Sequence, residues 1–144
     1  MFDLNHQTEL RQSVELFYFA YRAFTSRADR VLEERGLGRV HHRILYFVGR
    51  NPDLAVNALL GILRVSKQAL NAPLRQLVEM ELVSATVAGH DRRMKLLRLT
   101  AAGEKLEAEL TGPQMEHLAA VFEAAGPEAA ADWRKVMAAL ALES

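Results

Sequence analysis

Between residues 66 and 98 the chain concentrates side chains that recognise polyanions and base edges. Lys67, Gln68, Asn71 and Arg75 recur at spacings that leave them on exposed faces of one helix, while Leu70, Leu74, Leu77 and Val78, with Ala69, form its buried stripe. Gln and Asn side chains can each pair bidentately with adenine, worth about 1–3 kcal/mol of discrimination, whereas Lys and Arg more readily meet phosphates. Downstream, Asp91-Arg92-Arg93 stands between two segments of strand character, Leu82 to Ala88 and Lys95 to Leu99. These pair as a hairpin whose loop, Gly89 to Met94, presents Arg92 and Arg93. A narrow minor groove concentrates negative potential and attracts such an arginine tip.

The elements around this segment follow from periodicity and punctuation. Leu10, Val14, Phe17, Tyr21, Phe24, Ala28 and Val31 alternate spacings of four and three, which predicts one long helix from Gln7 to Arg35. Leu16, Phe19, Ala20 and Ala23 add apolar surface on its other sides, more than one small core needs, and so point to a second subunit. Gly36 and Gly38 end it. Val40 to Arg50 is a second helix closed by Asn51-Pro52, and Val56 to Leu63 a short third. Ser66 is a good N-cap for a fourth, Lys67 to Glu81, and the tight connection between the last two is a helix-turn-helix signature. Pro73 inside that fourth helix is expected to distort it. Thr100 to Leu110 forms a further helix, with Glu104, Glu107 and Glu109 exposed, that Gly112-Pro113 bends or interrupts. Helical pattern resumes at Met115 to Ala125, and Pro127 opens a last helix striped by Trp133, Val136, Met137 and Leu140.

Charge supports the same centre of action. Of the 18 basic and 18 acidic residues, residues 1–38 hold 5 and 6, residues 39–98 hold 10 and 4, and residues 99–144 hold 3 and 8. The regional balances are therefore −1, +6 and −5, so a chain of zero net charge still offers its middle to DNA. The absence of cysteine excludes disulfides, thiolate metal sites and cysteine nucleophiles. No metal site is expected either: adjacent His41 and His42 point about 100° apart on a helix, and no His-x-x-x-His spacing completes a ligand set. No glycine-rich phosphate loop, paired carboxylates or Ser-His-Asp arrangement indicates an enzyme or a cofactor. Apolar runs are too short to span a bilayer and the first residues lack an export signal, which points to a cytoplasmic protein without a membrane partner.

The order of elements, with Asp91-Arg92-Arg93 followed by Leu99-Thr100-Ala101-Ala102-Gly103, resembles the MarR family of winged-helix transcriptional regulators. His41 to Phe47 and Ser66-Lys67-Gln68 are similar to a proteobacterial subgroup of it. Ala55 departs from the pattern, since family members usually cap the first helix of the motif with Ser or Thr there. The resemblance implies a mainly α fold with a small β-hairpin wing: residues 39–100 as a winged helix-turn-helix lobe, and residues 1–38 and 101–144 as helices for homodimerisation. It further implies a repressor bound to palindromic double-stranded DNA. Ser66, Lys67, Gln68, Asn71 and Arg75 would lie along the major groove, Arg93 in the minor groove, and Asp91 would brace the wing. Such regulators often bind a small aromatic or anionic effector between the dimer helices and the DNA-binding lobe, where Tyr18, Tyr21, Arg22, His41, His42 and Arg43 would supply suitable groups. A second reading is a winged helix that binds only another protein; DNA binding is told from it by a steep dependence on salt.

Overall fold

A computed structural model describes residues 4–142, without the side chains of Leu4 and Arg92. Helix α1 (Leu4–Glu34) is 31 residues long and ends in a left-handed turn at Gly36, φ 71°. Gly36 N–H donates to Glu33 O and Leu37 N–H to Leu32 O, so the orphan carbonyls of the last turn are satisfied, and Leu32 and Leu37 are both buried. α2 (Arg39–Arg50) follows after one N-capping residue, Gly38.

The next helices form where the sequence places them. α3 (Val56–Leu63) ends on Arg64 in the left-handed region, and α4 (Lys67–Glu79) begins behind Ser66, whose hydroxyl accepts from Ala69 N–H at 3.1 Å. α4 is shorter than expected because Glu81 adopts φ 59° and Leu82 N–H returns to Leu77 O, closing the helix two residues early. Pro73 does not interrupt α4, since buried Leu70 and Leu77 anchor the helix on either side of it. Each buried leucine contributes about 1.5–3 kcal/mol, against about 3 kcal/mol for an interior proline. Ala69 is exposed rather than part of the buried stripe.

A three-stranded antiparallel sheet, where sequence shows only a hairpin, adds a short first strand to the wing. Its order is β1 (Leu54–Ala55), β3 (Asp91–Leu99), β2 (Val83–Ala88), and Leu54 pairs with Leu97 and Ala55 with Leu96. Ala55 therefore has two backbone duties, closing the sheet and capping α3 without a side-chain bond.

α5 (Ala101–Ala125) is one helix of 25 residues, so of the two expectations for Gly112-Pro113, a bend or an interruption, the interruption does not occur. A residue before proline is disfavoured in helical conformation largely by its Cβ, and glycine has none. Buried Leu106, Leu110 and Thr111 lead the helix into that step. Glu107, expected to be exposed, is half-buried. After Gly126, α6 (Pro127–Ala141) packs back on α5 and buries only Ala130 fully.

The core joins α1, α2, α3, α4, the sheet and the first half of α5 through Leu32, Ile44, Leu59, Leu70, Leu97 and Leu106, among others. Apolar side chains outside it stay uncovered in the single chain: Val14, Phe17 and Phe19 on α1, Met115 and Val121 on α5, and Trp133, Val136 and Leu140 on α6. Among the described residues no helix is long and apolar enough to cross a membrane, and no group of three or more metal-binding side chains comes together.

Candidate nucleic-acid interface

Ser66, Lys67, Gln68, Asn71 and Arg75 are all exposed. At 100° per residue the four from Lys67 to Arg75 fall within about 100° of the helix circumference, a single face that holds neither of the buried residues Leu70 and Leu77. The capping bond fixes where this face begins, three residues after α3 ends. Because the Ser66 hydroxyl accepts from Ala69 N–H, it retains its own hydrogen to donate outward.

The hairpin has an irregular tip. Gly89 and His90 make its turn and Ala88 pairs with Asp91, whereas Val87 already pairs with Lys95. Arg92, Arg93 and Met94 thus have no partners in the ladder and bulge from β3. Part of the expected loop is strand as a result: β3 begins at Asp91. The Asp91 carboxylate accepts from Arg93 N–H at 2.9 Å, a local bond that holds the bulge, and the Arg93 side chain is exposed. The Arg92 side chain lies outside the described residues.

Where β3 joins the helices, Arg98 forms a two-pronged ion pair with Asp53, both contacts at 2.6 Å. Hydrogen bonding from Arg98 holds the Asp53 carboxyl below its usual range. This pair removes one cation from the positive middle of the chain as free charge, and its 45-residue separation gave no sequence signal.

A cavity of about 320 Å³ opens between α1, α2 and α5. Tyr21, His42 and Arg43 line it; Tyr18, Arg22 and His41 do not. Tyr18 packs against the Phe19 ring at 5.4 Å between centroids and Arg22 lies over that ring, whereas His41 is engaged with Gln76 of α4. The cavity adds residues that sequence reasoning missed. Arg39 grips Asp29 through two nitrogens at 3.1 and 2.9 Å and lies 5.4 Å over the Tyr21 ring. Arg43 donates to the Tyr21 hydroxyl at 3.3 Å, and His42 Nε2 meets the Thr111 hydroxyl at 3.0 Å. Burial, and then the charge of Arg43, lowers the His42 pKa below the ordinary histidine value. On the other side of Thr111, burial raises the Glu107 pKa.

Residues 35–94 match the MarR family model, and 132 residues of the chain are 42% identical to the HTH-type transcriptional regulator PetP of Rhodobacter capsulatus, covering 92% of this chain and 80% of that protein. The chain belongs to the MarR family. As a MarR-family transcriptional regulator it also shares its fold with solved structures. The structure of Streptococcus pneumoniae FabT in complex with DNA superposes with a TM-score of 0.81 at 15% identity, covering 92% of this chain and 95% of that one. That of NadR in complex with 4-hydroxyphenylacetate gives 0.72 at 26% identity, covering 87% and 89%.

Proposed function

We propose that this MarR-family regulator is a repressor that binds a palindromic operator as a homodimer, with one α4 per half-site in the major groove and the β2–β3 hairpin in the minor groove. The observation that carries the reading is the single exposed face of Lys67, Gln68, Asn71 and Arg75 behind a capped three-residue turn, in a segment of net charge +6. The lobe comprises residues 39–100. Gln68 and Asn71 read base edges, Lys67 and Arg75 hold phosphates, Ser66 donates to the backbone, and Arg93 enters the minor groove from a bulge braced by Asp91.

Residues 1–38 and 101–144 supply the dimer contact. The uncovered apolar side chains of α1, α5 and α6 need a partner surface, and the same faces of a second copy provide one by two-fold symmetry. The cavity between α1, α2 and α5 receives an effector, a small aromatic carboxylate. Tyr21, Phe47 and Leu118 supply apolar wall, while Arg43 and His42 supply donors for an anion. NadR, which holds an aromatic acid in its solved complex, supports that class of ligand. Binding there favours a spacing of the two α4 helices that mismatches the half-sites, and so releases DNA.

Fluorescence anisotropy on a duplex enriched by the protein tests the DNA reading. Affinity should fall about a thousandfold or more between 50 and 200 mM salt if six or more phosphates are contacted, and Arg93→Ala should weaken binding and lower the log–log salt slope by about one. Binding flat in salt and indifferent to Arg93→Ala would refute it.

A further inference from the structure

We propose that His41 and Gln76 form a strut that sets the angle of α4 against α1, and that they are positioning residues for the spacing of the two half-sites. The inference rests on the dimeric operator reading above and assigns it residues that touch no DNA. Three hydrogen bonds define the strut. Gly38 N–H donates to His41 Nδ1 at 2.9 Å, so that nitrogen carries no proton. In the neutral ring the proton is on Nε2, which donates to Gln76 Oε1 at 2.9 Å. With its oxygen so assigned, the Gln76 amide presents Nε2 to Gly36 O, and donates there at 3.3 Å. Turning the amide over would set two donors against each other, so one arrangement of protons satisfies all three bonds.

The strut spans the joint at which the arm meets the reading head. Arg35, Gly36, Leu37 and Gly38 are the whole of the chain link there, between α1 and α2, and two glycines in four residues loosen its backbone. Gln76 lies on a flank of α4 roughly opposite the face of Lys67, Gln68, Asn71 and Arg75, and it reaches back 40 residues to the end of α1. In a dimer held by α1, any change of angle at this joint is repeated in both protomers and moves the two α4 helices relative to each other. Adding or removing one base pair between half-sites shifts them by about 3.4 Å and about 34°. A braced joint rejects that shift; an unbraced one follows it.

The test uses the duplex that the wild-type protein enriches from a random pool, the same duplex with its centre lengthened or shortened by one base pair, and a random-sequence duplex of equal length. Wild type should prefer the enriched spacing by about tenfold or more, and Gln76→Ala and His41→Asn should narrow that preference to about threefold or less. His41→Asn keeps an acceptor for Gly38 N–H and loses the reach to Gln76, so it separates the cap from the strut. Gln76→Glu should fall between, since its carboxylate keeps the bond from His41 and loses the one to Gly36. Affinity for the random duplex should stay within about twofold of wild type, because the phosphate contacts are unchanged. Thermal melting of each variant establishes that it folds. Folded variants that keep the wild-type spacing ratio, or that weaken all four duplexes equally, overturn the strut while leaving operator binding intact. A wild-type protein that enriches no symmetric duplex overturns both.

Discussion

Replacing Gly103 by alanine should destabilise the protein, although alanine is the better helix former. Gly103 lies in the first turn of α5, where a Cβ would stand 2.9 Å from the carbonyl carbon of Leu82 and closer still to its oxygen. Carbon atoms in ordinary contact are about 3.5–4.0 Å apart, so backbone must move by more than half an ångström. The obstructing carbonyl is not free to move. It accepts from Thr100 N–H at 3.1 Å, while the Thr100 hydroxyl donates to Glu81 O at 2.6 Å and accepts from Gly103 N–H at 3.0 Å. Overpacking costs about 1–3 kcal/mol and each bond lost about 1 kcal/mol, against a gain in helix propensity of about 1 kcal/mol. With one bond lost the net loss is about 1–3 kcal/mol, which for a domain of this size lowers the melting temperature by about 3–9 °C. Gly61 of α3 is the control, since nothing lies within 4 Å of a Cβ there. Gly61→Ala should therefore stabilise by about 0.5–1 kcal/mol. Circular-dichroism melting at one fixed protein concentration reads both variants, the concentration being held because association shifts the midpoint. A Gly103→Ala protein that melts within 2 °C of wild type, taking about 2 °C as the smallest useful shift for such a domain, would refute the steric argument. So would a Gly61→Ala protein that falls as far as Gly103→Ala.

Two further outcomes follow from the caps and the cavity. Ser66→Ala should cost about 1 kcal/mol of stability through loss of the α4 cap, whereas Ser66→Asp should keep the cap and still weaken DNA binding by repelling phosphate; equal melting and equal binding for the two variants would separate Ser66 from both roles. The lowered pKa of His42 means that the unfolded chain takes up a proton first as pH falls. Its contribution is complete above about pH 6.5 and is lost as pH falls towards the lower folded value, so urea midpoints should drop between pH 7 and pH 5. Glu107 acts with the opposite sign, its raised pKa costing stability as pH rises through it, so the comparison with His42→Gln isolates the histidine. His42→Gln should flatten the profile, and an unchanged slope would show that another group carries it.

Much of the fold was legible because its boundaries are signalled by neighbouring residues. Ser66 and Thr100 mark the starts of α4 and α5 through their own hydroxyls, and Gly36 marks the end of α1 through its φ. The exposed face of α4 was legible for the same reason, periodicity being a local property. What escaped depends on partners distant in sequence. β1 is two residues long, too short to show alternation, and exists only because Leu97 and Leu96 of β3 pair with it. Asp53–Arg98 and His41–Gln76 join residues 45 and 35 apart. Pro113 does not interrupt α5, because a preceding glycine and packed neighbours let the helix continue. Arg22 was expected beside Tyr21 at the effector site, yet adjacent helical residues point about 100° apart, and of the two only Tyr21 lines the cavity.

Selection of bound fragments from random DNA, with the number of chains per enriched duplex measured by mass, tests the central claim most directly. The account predicts a palindrome with half-sites about one helical turn apart, bound by two chains and lost when Gln68 and Asn71 are both changed to alanine. Enrichment of no symmetric sequence, or of one that the doubly changed protein selects equally well, would contradict it.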